Sequence, residues 1–331
     1  MLPVRFEEPA GFTWGNFKDA GGANIRYGSL QPQGEPKGTI VLVSGFREST
    51  EKYFEVIRDM ADRGFAVWMM DWRGQGGSDR FLAHALQRLH SKGFDDNIAT
   101  LHQFTQTVVK KSNGPLILMG HSMGGHLCLR YLKEHEGVFD SAVLTSPMCD
   151  ILTPGLPRVI AHRLIDLARV GHYMDRYIPG GHNWDERNED FDSNKLTSDP
   201  VRFGVATEIF RKNPAMKMGD PTYAWVEAAF KSIKTLNDPA YLKSIKTPVL
   251  MGISGNDQIV DAAASRNAAA LMPNCTRVDI PGAKHEIWME RDELRAPWLD
   301  RVGTFLQERL EQYALTQKKS NIKQPPRPPG P

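Results

Sequence analysis

A chain of 331 residues, 40% hydrophobic and 24% charged with a net charge of +2, can bury a full core and has the composition of an ordinary globular protein. It shows no apolar run near the roughly 18 residues a membrane span needs, and no apolar h-region in Met1-Leu2-Pro3-Val4-Arg5-Phe6-Glu7-Glu8. Cys128, Cys149 and Cys275 are odd in number and widely spread, while Lys318, Lys319, Lys323 and Arg327 load the tail with positive charge, so the expectation is a soluble, cytoplasmic protein without disulfides whose body binds no nucleic acid.

From Phe12 to Leu30, short alternating segments around Gly21-Gly22 predict an antiparallel hairpin at a sheet edge. Thr39 to Val43 is a buried strand ending in Ser44-Gly45-Phe46. Glu51 to Arg63 has helical spacing, with Gly64 as its stop. A strand from Phe65 to Met70 leads into Asp71-Trp72-Arg73-Gly74-Gln75-Gly76-Gly77-Ser78, and Asp95 to Lys111 makes an amphipathic helix through Ile98, Leu101, Phe104 and Val108. Next, Leu116 to Met119 runs into Gly120-His121-Ser122-Met123-Gly124, and apolar residues at helical spacing follow as far as Leu132. Ser141 to Pro147 is another buried strand. Strands alternating with helices through short connections imply a parallel sheet covered on both faces.

The rhythm breaks at Met148. Up to about Lys246 the chain predicts helices instead, among them Pro157 to Val170 and one opening at Asp220-Pro221 with an N-cap and a first-turn proline. Such an insertion would overhang Ser122 as a cap. The strand pattern resumes at Pro248 to Ile253, followed by a helix from Asp261 to Leu271, a strand from Thr276 to Ile280 and a final helix. In that helix Trp298, Leu299, Val302, Phe305, Leu306, Leu310 and Tyr313 form one stripe. The domain reading is an α/β core over 1–147 and 247–316, a helical cap over 148–246, and a basic, proline-rich tail over 317–331 that builds no core.

The chemistry centres on Ser122. A strand, a tight turn and a helix around Gly-x-Ser-x-Gly lift a serine hydroxyl to the sheet edge, and the flanking glycines let neighbouring backbone pass. A serine hydroxyl needs a base, and the base an orienting group. On such an elbow the order is serine, acid, histidine. Asp257, in the turn after the strand ending near Ile253, is the acid; Asp261 is its rival but has the position of a helix N-cap. His285, directly after the last strand, is the base, and no other histidine follows His182. Backbone N–H groups of Met123 and of Phe46 are the expected oxyanion donors. His121 is expected to pack or hydrogen-bond rather than react, Asp71 and Arg73 to pair and hold their loop, and Glu286 to hold the base's loop. His162, His172 and His182 lack metal-ligand spacing, and the glycines near Gln75 complete no nucleotide-binding fingerprint. No metal or cofactor is expected.

With these residues placed, the chain resembles α/β-hydrolases from about Gly11 to Tyr313, and within them the bacterial lysophospholipase and monoacylglycerol lipase group. The likeness rests on Gly120-His121-Ser122-Met123-Gly124-Gly125, on Asp71 to Ser78, and on Gly219-Asp220-Pro221-Thr222-Tyr223-Ala224-Trp225-Val226. It departs from the group's monoacylglycerol lipases in having Ser44-Gly45 where they usually carry His-Gly, which favours the lysophospholipase side. The resemblance implies a serine hydrolase that removes the acyl chain from a single-chain lipid, with Ser122, His285 and Asp257 as its triad. Leu156, Ile160, Leu164 and Leu167 of the cap are candidates to line an acyl tunnel or to pack the cap onto the core. The lipid substrate and the cationic tail make weak peripheral attachment to a membrane an expectation. Another ester, thioester or amide hydrolase of this fold, or a non-catalytic binding homologue, are the alternatives. Met123 argues against proline-releasing peptidases, which usually carry Trp there, and a serine at the elbow excludes chemistry that needs an aspartate nucleophile.

Overall fold

The computed structural model describes residues 2–153 and 155–322. Its centre is one eight-stranded sheet: β1 (Thr13–Lys18), β2 (Asn24–Leu30), β3 (Gly38–Val43), β4 (Phe65–Met70), β5 (Leu116–His121), β6 (Ser141–Thr145), β7 (Val249–Ser254) and β8 (Cys275–Ile280), in the order β1-β2-β4-β3-β5-β6-β7-β8. The first two strands form the expected edge hairpin, with β2 antiparallel to β4, and every later pairing is parallel. Strands β3 to β7 are buried at every position. They therefore read as continuous apolar runs rather than alternating ones, because helices cover both faces of a parallel sheet.

On one face lie α2 (Phe94–Thr107) and α3 (Met123–Glu134); on the other lie α1 (Phe54–Asp62) and α9 (Asp292–Ile322). The apolar run predicted as a helix from Glu51 begins as a single 3-10 turn, Thr50–Tyr53, before α1. Between β6 and β7 the insertion contains α4 (Arg158–Val170), α5 (Pro200–Lys212), α6 (Tyr223–Leu236) and α7 (Pro239–Ser244), and α8 (Ala262–Leu271) precedes β8.

Three details of the sequence reading are corrected. The insertion is not all roof: Ala228, Ala229, Ile233 and Leu236 of α6, with Leu242 and Ile245, belong to the same core cluster as α2 and α3. The helix expected to open at Asp220-Pro221 starts later, capped by Thr222, whose hydroxyl accepts from Trp225 N. Pro221 instead bridges Leu89, and the Asp220 carboxylate accepts from the His182 backbone, so both are committed elsewhere. The aspartate-proline start does occur, at α5 and α7, where Asp199 and Asp238 cap and a proline follows. Finally, α9 continues to Ile322, past the predicted boundary at Gln317; Lys318 and Lys319 are good helix formers, and a helix once started propagates residue by residue. The proline-rich stretch from Gln324 lies outside the described residues.

Arg202 of α5 joins the insertion to the core. Its guanidinium, 1% exposed, donates to Glu55 of α1 at 2.8 and 2.9 Å, to Asp199 at 2.9 Å and to Asp292 of α9 at 2.5 Å. Removing it leaves the buried Glu55 carboxylate only Arg5 and Arg295, each at 3.7 Å, and breaking a buried pair costs up to about 3–5 kcal/mol. Arg202→Met is accordingly expected to lower the urea midpoint by that stability; a midpoint within error of wild type would show the cluster to be dispensable.

Candidate active site

Ser122 sits between β5 and α3 with φ 52° and ψ −117°, a left-handed conformation that a non-glycine residue adopts only where the surroundings hold it. The surroundings leave no room for larger neighbours. A Cβ on Gly120 would stand 2.6 Å from Cys128 Sγ, and one on Gly124 would stand 2.4 Å from the Ser44 carbonyl oxygen. The spacing of small residues in Gly-x-Ser-x-Gly is thus a packing requirement of helix α3 against β5 and the loop after β3.

The three residues named from sequence meet. Ser122 Oγ lies 2.8 Å from His285 Nε2, and His285 Nδ1 lies 2.7 Å from Asp257 Oδ2. With the proton on Nδ1 the ring donates to Asp257 and accepts from the serine hydroxyl. Asp257 Oδ1 accepts from Ile259 N at 2.9 Å and Val260 N at 3.0 Å, so the turn after β7 orients the carboxylate. Burial would raise the Asp257 pKa, but its hydrogen bond with His285, the imidazole's charge and the two backbone donors outweigh that and hold it below the usual carboxylate value. Asp261 has the role its position suggested: it caps α8 through Ala263 N and Ala264 N.

Gly45 brings the loop after β3 against the elbow; a Cβ there would be 3.1 Å from Ser122 Cβ. Phe46 follows it, so its main chain runs beside the serine, while its ring packs on Trp225 of α6 at 4.3 Å between centroids. Met123 opens α3. His121 packs as expected: Nδ1 is 3.1 Å from Thr145 Oγ1, and its ring is 4.8 Å from the ring of His285. Burial pushes the His121 pKa down to about 3, so the ring is neutral.

Asp71 does fix its loop, but Arg73 is not its partner. It is paired with Arg26 at 2.5 Å and accepts from Thr50 N and Gly77 N at 2.8 Å each, whereas Arg73 lies over Phe81 and reaches Asp19 at 3.9 Å. Sequence reasoning missed Arg26, because nothing in the hairpin's local pattern marks its tip-ward arginine as the partner of a buried residue 45 positions away. It also missed Glu48 and Lys52. Their i, i+4 spacing is visible, but a solvated helix pair has the same spacing. Among the described residues Glu48, His121 and Glu286 have donor atoms within 4.8 Å of one another. The Lys52 ammonium bridges the two carboxylates, 2.8 Å from Glu48 and 2.6 Å from Glu286, and so supplies the cation that cluster needs.

The insertion closes over this arrangement. Ser122 is 6% and His285 3% exposed. The segment between the 3-10 turn Glu186–Asn188 and α5 is tied to the loop of the base: Glu286 N donates to Leu196 O at 2.8 Å, Lys284 Nζ to Asn194 O at 2.8 Å, and Thr197 Oγ1 to Met289 O at 2.6 Å. The proposed tunnel residues are placed less favourably. Helix α4 turns Ala161, Ile165 and Ala168 inward, and Leu156 packs beside them with Phe230. Ile160 and Leu167 face outward at 48% and 67% exposure, and Leu164 is half-buried between the two faces. The reason is the helical period: inward positions spaced i, i+4, i+7 leave Ile160 and Leu167 about one residue's 100° out of phase.

Comparison with known proteins agrees with the geometry. A family model described as serine aminopeptidase, S33, matches residues 34–292. The probable lysophospholipase L2 of Haemophilus influenzae is 30% identical over 278 residues, 84% of this chain and 86% of that protein. Lysophospholipase L2 of Escherichia coli K12 is 31% identical over 281 residues, 80% of this chain and 79% of that one. A soluble variant of monoglyceride lipase from Saccharomyces cerevisiae has the same fold, with a TM-score of 0.69 at 19% identity over 93% of this chain and 98% of that chain. With a serine elbow on a mostly parallel sheet, and a family match over most of its length, the chain belongs to the serine aminopeptidase S33 family of α/β-hydrolases.

Proposed function

We propose that the protein hydrolyses the carboxylic ester of a single-chain acyl lipid, a lysophospholipid in the first instance, with Ser122 as nucleophile, His285 as general base and acid, and Asp257 as the group that orients the imidazole. The observation that carries this is the unbroken hydrogen-bonded chain from Ser122 Oγ through His285 to Asp257 at 2.8 and 2.7 Å. It speaks against the non-catalytic alternative, for which such a chain has no use. The names of the two lysophospholipase relatives support the lipid ester over a peptide, and Met123 in place of Trp points the same way.

In the reaction, His285 Nε2 takes the Ser122 proton as Oγ bonds to the ester carbonyl carbon. The carbonyl oxygen then carries the negative charge, and the N–H groups of Met123 and Phe46 stabilise it. His285 returns its proton to the departing alcohol oxygen, leaving an acyl-serine. Water repeats the sequence and releases the fatty acid. Asp257 stays ionised throughout and favours the imidazolium as it forms. Ser122 and His285 are 6% and 3% exposed, so a lipid reaches them only when the chain that covers them opens.

Among the described residues no helix is long and apolar enough to cross a membrane; access to lipid is by weak attachment to the membrane surface, which the outward Ile160 and Leu167 of α4 support. The test is hydrolysis of lysophosphatidylcholine, lysophosphatidylethanolamine, monoacylglycerols of graded chain length, an acyl thioester and short p-nitrophenyl esters. Release of fatty acid from the lysophospholipids at the highest kcat/KM is expected. Activity confined to short esters would overturn the lipid assignment, and a preference for monoacylglycerol would overturn the head-group reading alone.

A further inference from the structure

We propose that Lys52 is a positioning residue: its buried ammonium clamps the loop that carries Phe46 to the loop that carries His285, through Glu48 on one side and Glu286 on the other. The proposal rests on the assignment of Ser122 and His285 above and deepens it.

The clamp spans 234 positions of sequence in a single side chain. Lys52 Nζ donates to Glu48 Oε1 at 2.8 Å and to Glu286 Oε1 at 2.6 Å, and all three side chains are buried. Glu48 passes the constraint on. Its Oε2 accepts from the Gly45 backbone N–H at 2.6 Å and from the Tyr53 hydroxyl at 2.5 Å. Gly45 N–H is held one residue before the proposed oxyanion donor, and the next residue, Arg47, is in the left-handed region at φ 64°. A loop turned that sharply keeps its N–H directions only while something holds it. On the other side Glu286 adjoins His285 in the chain. An oxyanion donor and a base must keep a fixed separation around the same carbonyl group, and these two come from distant parts of the chain. One buried cation between two carboxylates fixes that separation more tightly than packing does, because each carboxylate is without water to replace its partner.

The cluster also sets charge beside the base. Burial would raise the pKa of Glu48, but Lys52, His121 and the hydrogen bonds it accepts bring it down to about 2, so it is a carboxylate. Burial would lower the pKa of Lys52, but the two carboxylates outweigh that and raise it. Glu286 is pushed up by burial and by Glu48, against Lys52. The groups facing His285 are Asp257 after β7, His121 at the end of β5, Glu286 on its own loop, and Glu48 and Lys52 beyond the His121 ring; from the insertion, Lys195 presents its backbone carbonyl. Removing Lys52 therefore leaves more negative charge near the imidazole, and removing the charge of Glu48 leaves less.

The experiment measures kcat, KM and the pH dependence of kcat/KM for wild type, Lys52→Met, Lys52→Arg and Glu48→Gln on a p-nitrophenyl ester, together with the rate of fluorophosphonate labelling. For Lys52→Met we expect kcat to fall about 10²-fold, the scale of losing one oxyanion donor, with KM within a few-fold and the acid limb moved to higher pH. Glu48→Gln, nearly isosteric, is expected to move the acid limb the other way, and Lys52→Arg to recover most of the rate. If Lys52→Met does not fold, the Glu48→Gln and Lys52→Arg proteins carry the test. Folded variants that lose rate with the acid limb where wild type has it, or that lose it only through KM, would overturn the clamp and leave the cluster structural. A wild-type protein that neither hydrolyses the ester nor takes the label would overturn the triad assignment itself.

Discussion

Replacing Ser122 by alanine is expected to lower kcat by about 10⁶-fold, as loss of the nucleophile does in enzymes with this constellation, or about 8 kcal/mol of transition-state stabilisation at 1.36 kcal/mol per decade. The size follows from what the substitution removes. Oγ is the atom 2.8 Å from His285 Nε2, and nothing else in the described residues places a hydroxyl on that nitrogen. The fold should stand, because alanine keeps the Cβ that Gly45 packs near and bears the same strain at φ 52° that serine does. Labelling by a fluorophosphonate checks the claim at its narrowest: wild type should react and Ser122→Ala should not. Undiminished labelling of the variant would remove Ser122 as nucleophile.

Asp257→Asn should cost about 10⁴-fold in kcat with KM little altered, the scale seen when a triad aspartate becomes an amide. Asp257 is buried away from any substrate contact, so binding is not what it supplies. An asparagine amide in the same place donates to His285 Nδ1 instead of accepting from it. The ring then carries its proton on Nε2, where it can no longer accept from Ser122. The Ile259 and Val260 N–H bonds to the other oxygen, at 2.9 and 3.0 Å, can be kept, so the turn and the stability should change little. Asp261→Asn is the control. It retains an N-cap side chain on α8, and full activity is expected. A large loss in Asp261→Asn with none in Asp257→Asn would reverse the assignment of the acid.

The legibility of this chain in its sequence was uneven for reasons that particular residues make plain. Strands β3 to β7 announced themselves because each is a short apolar run buried on both faces, and the elbow did so because glycine is compulsory at 120 and 124 when the Ser44 carbonyl and Cys128 sulfur stand that close. His285 was reachable by elimination. The start of α6 was misplaced because Asp220 and Pro221 have the local chemistry of a helix start while their partners, His182 and Leu89, are distant in the chain. The facing of α4 was misjudged for a similar reason: Ile160 and Leu167 are apolar, and only the packing of Ala161 and Ile165 with Phe230, and the burial of Ala168, show which stripe is turned inward.

By itself the sequence determined the sheet and its alternation with helices, the serine elbow, and which aspartate and histidine are proposed as acid and base, since each is written in local spacing over a few residues. Only the tertiary structure decided that Arg26 rather than Arg73 holds Asp71, that α6 belongs to the core, that Ser122 lies under a closed roof, and that Lys52 joins the two halves of the site. Those are contacts between residues far apart in the chain, and whether a charged side chain ends in water or between two buried carboxylates depends on what the rest of the fold brings over it. Local pattern carries no record of that.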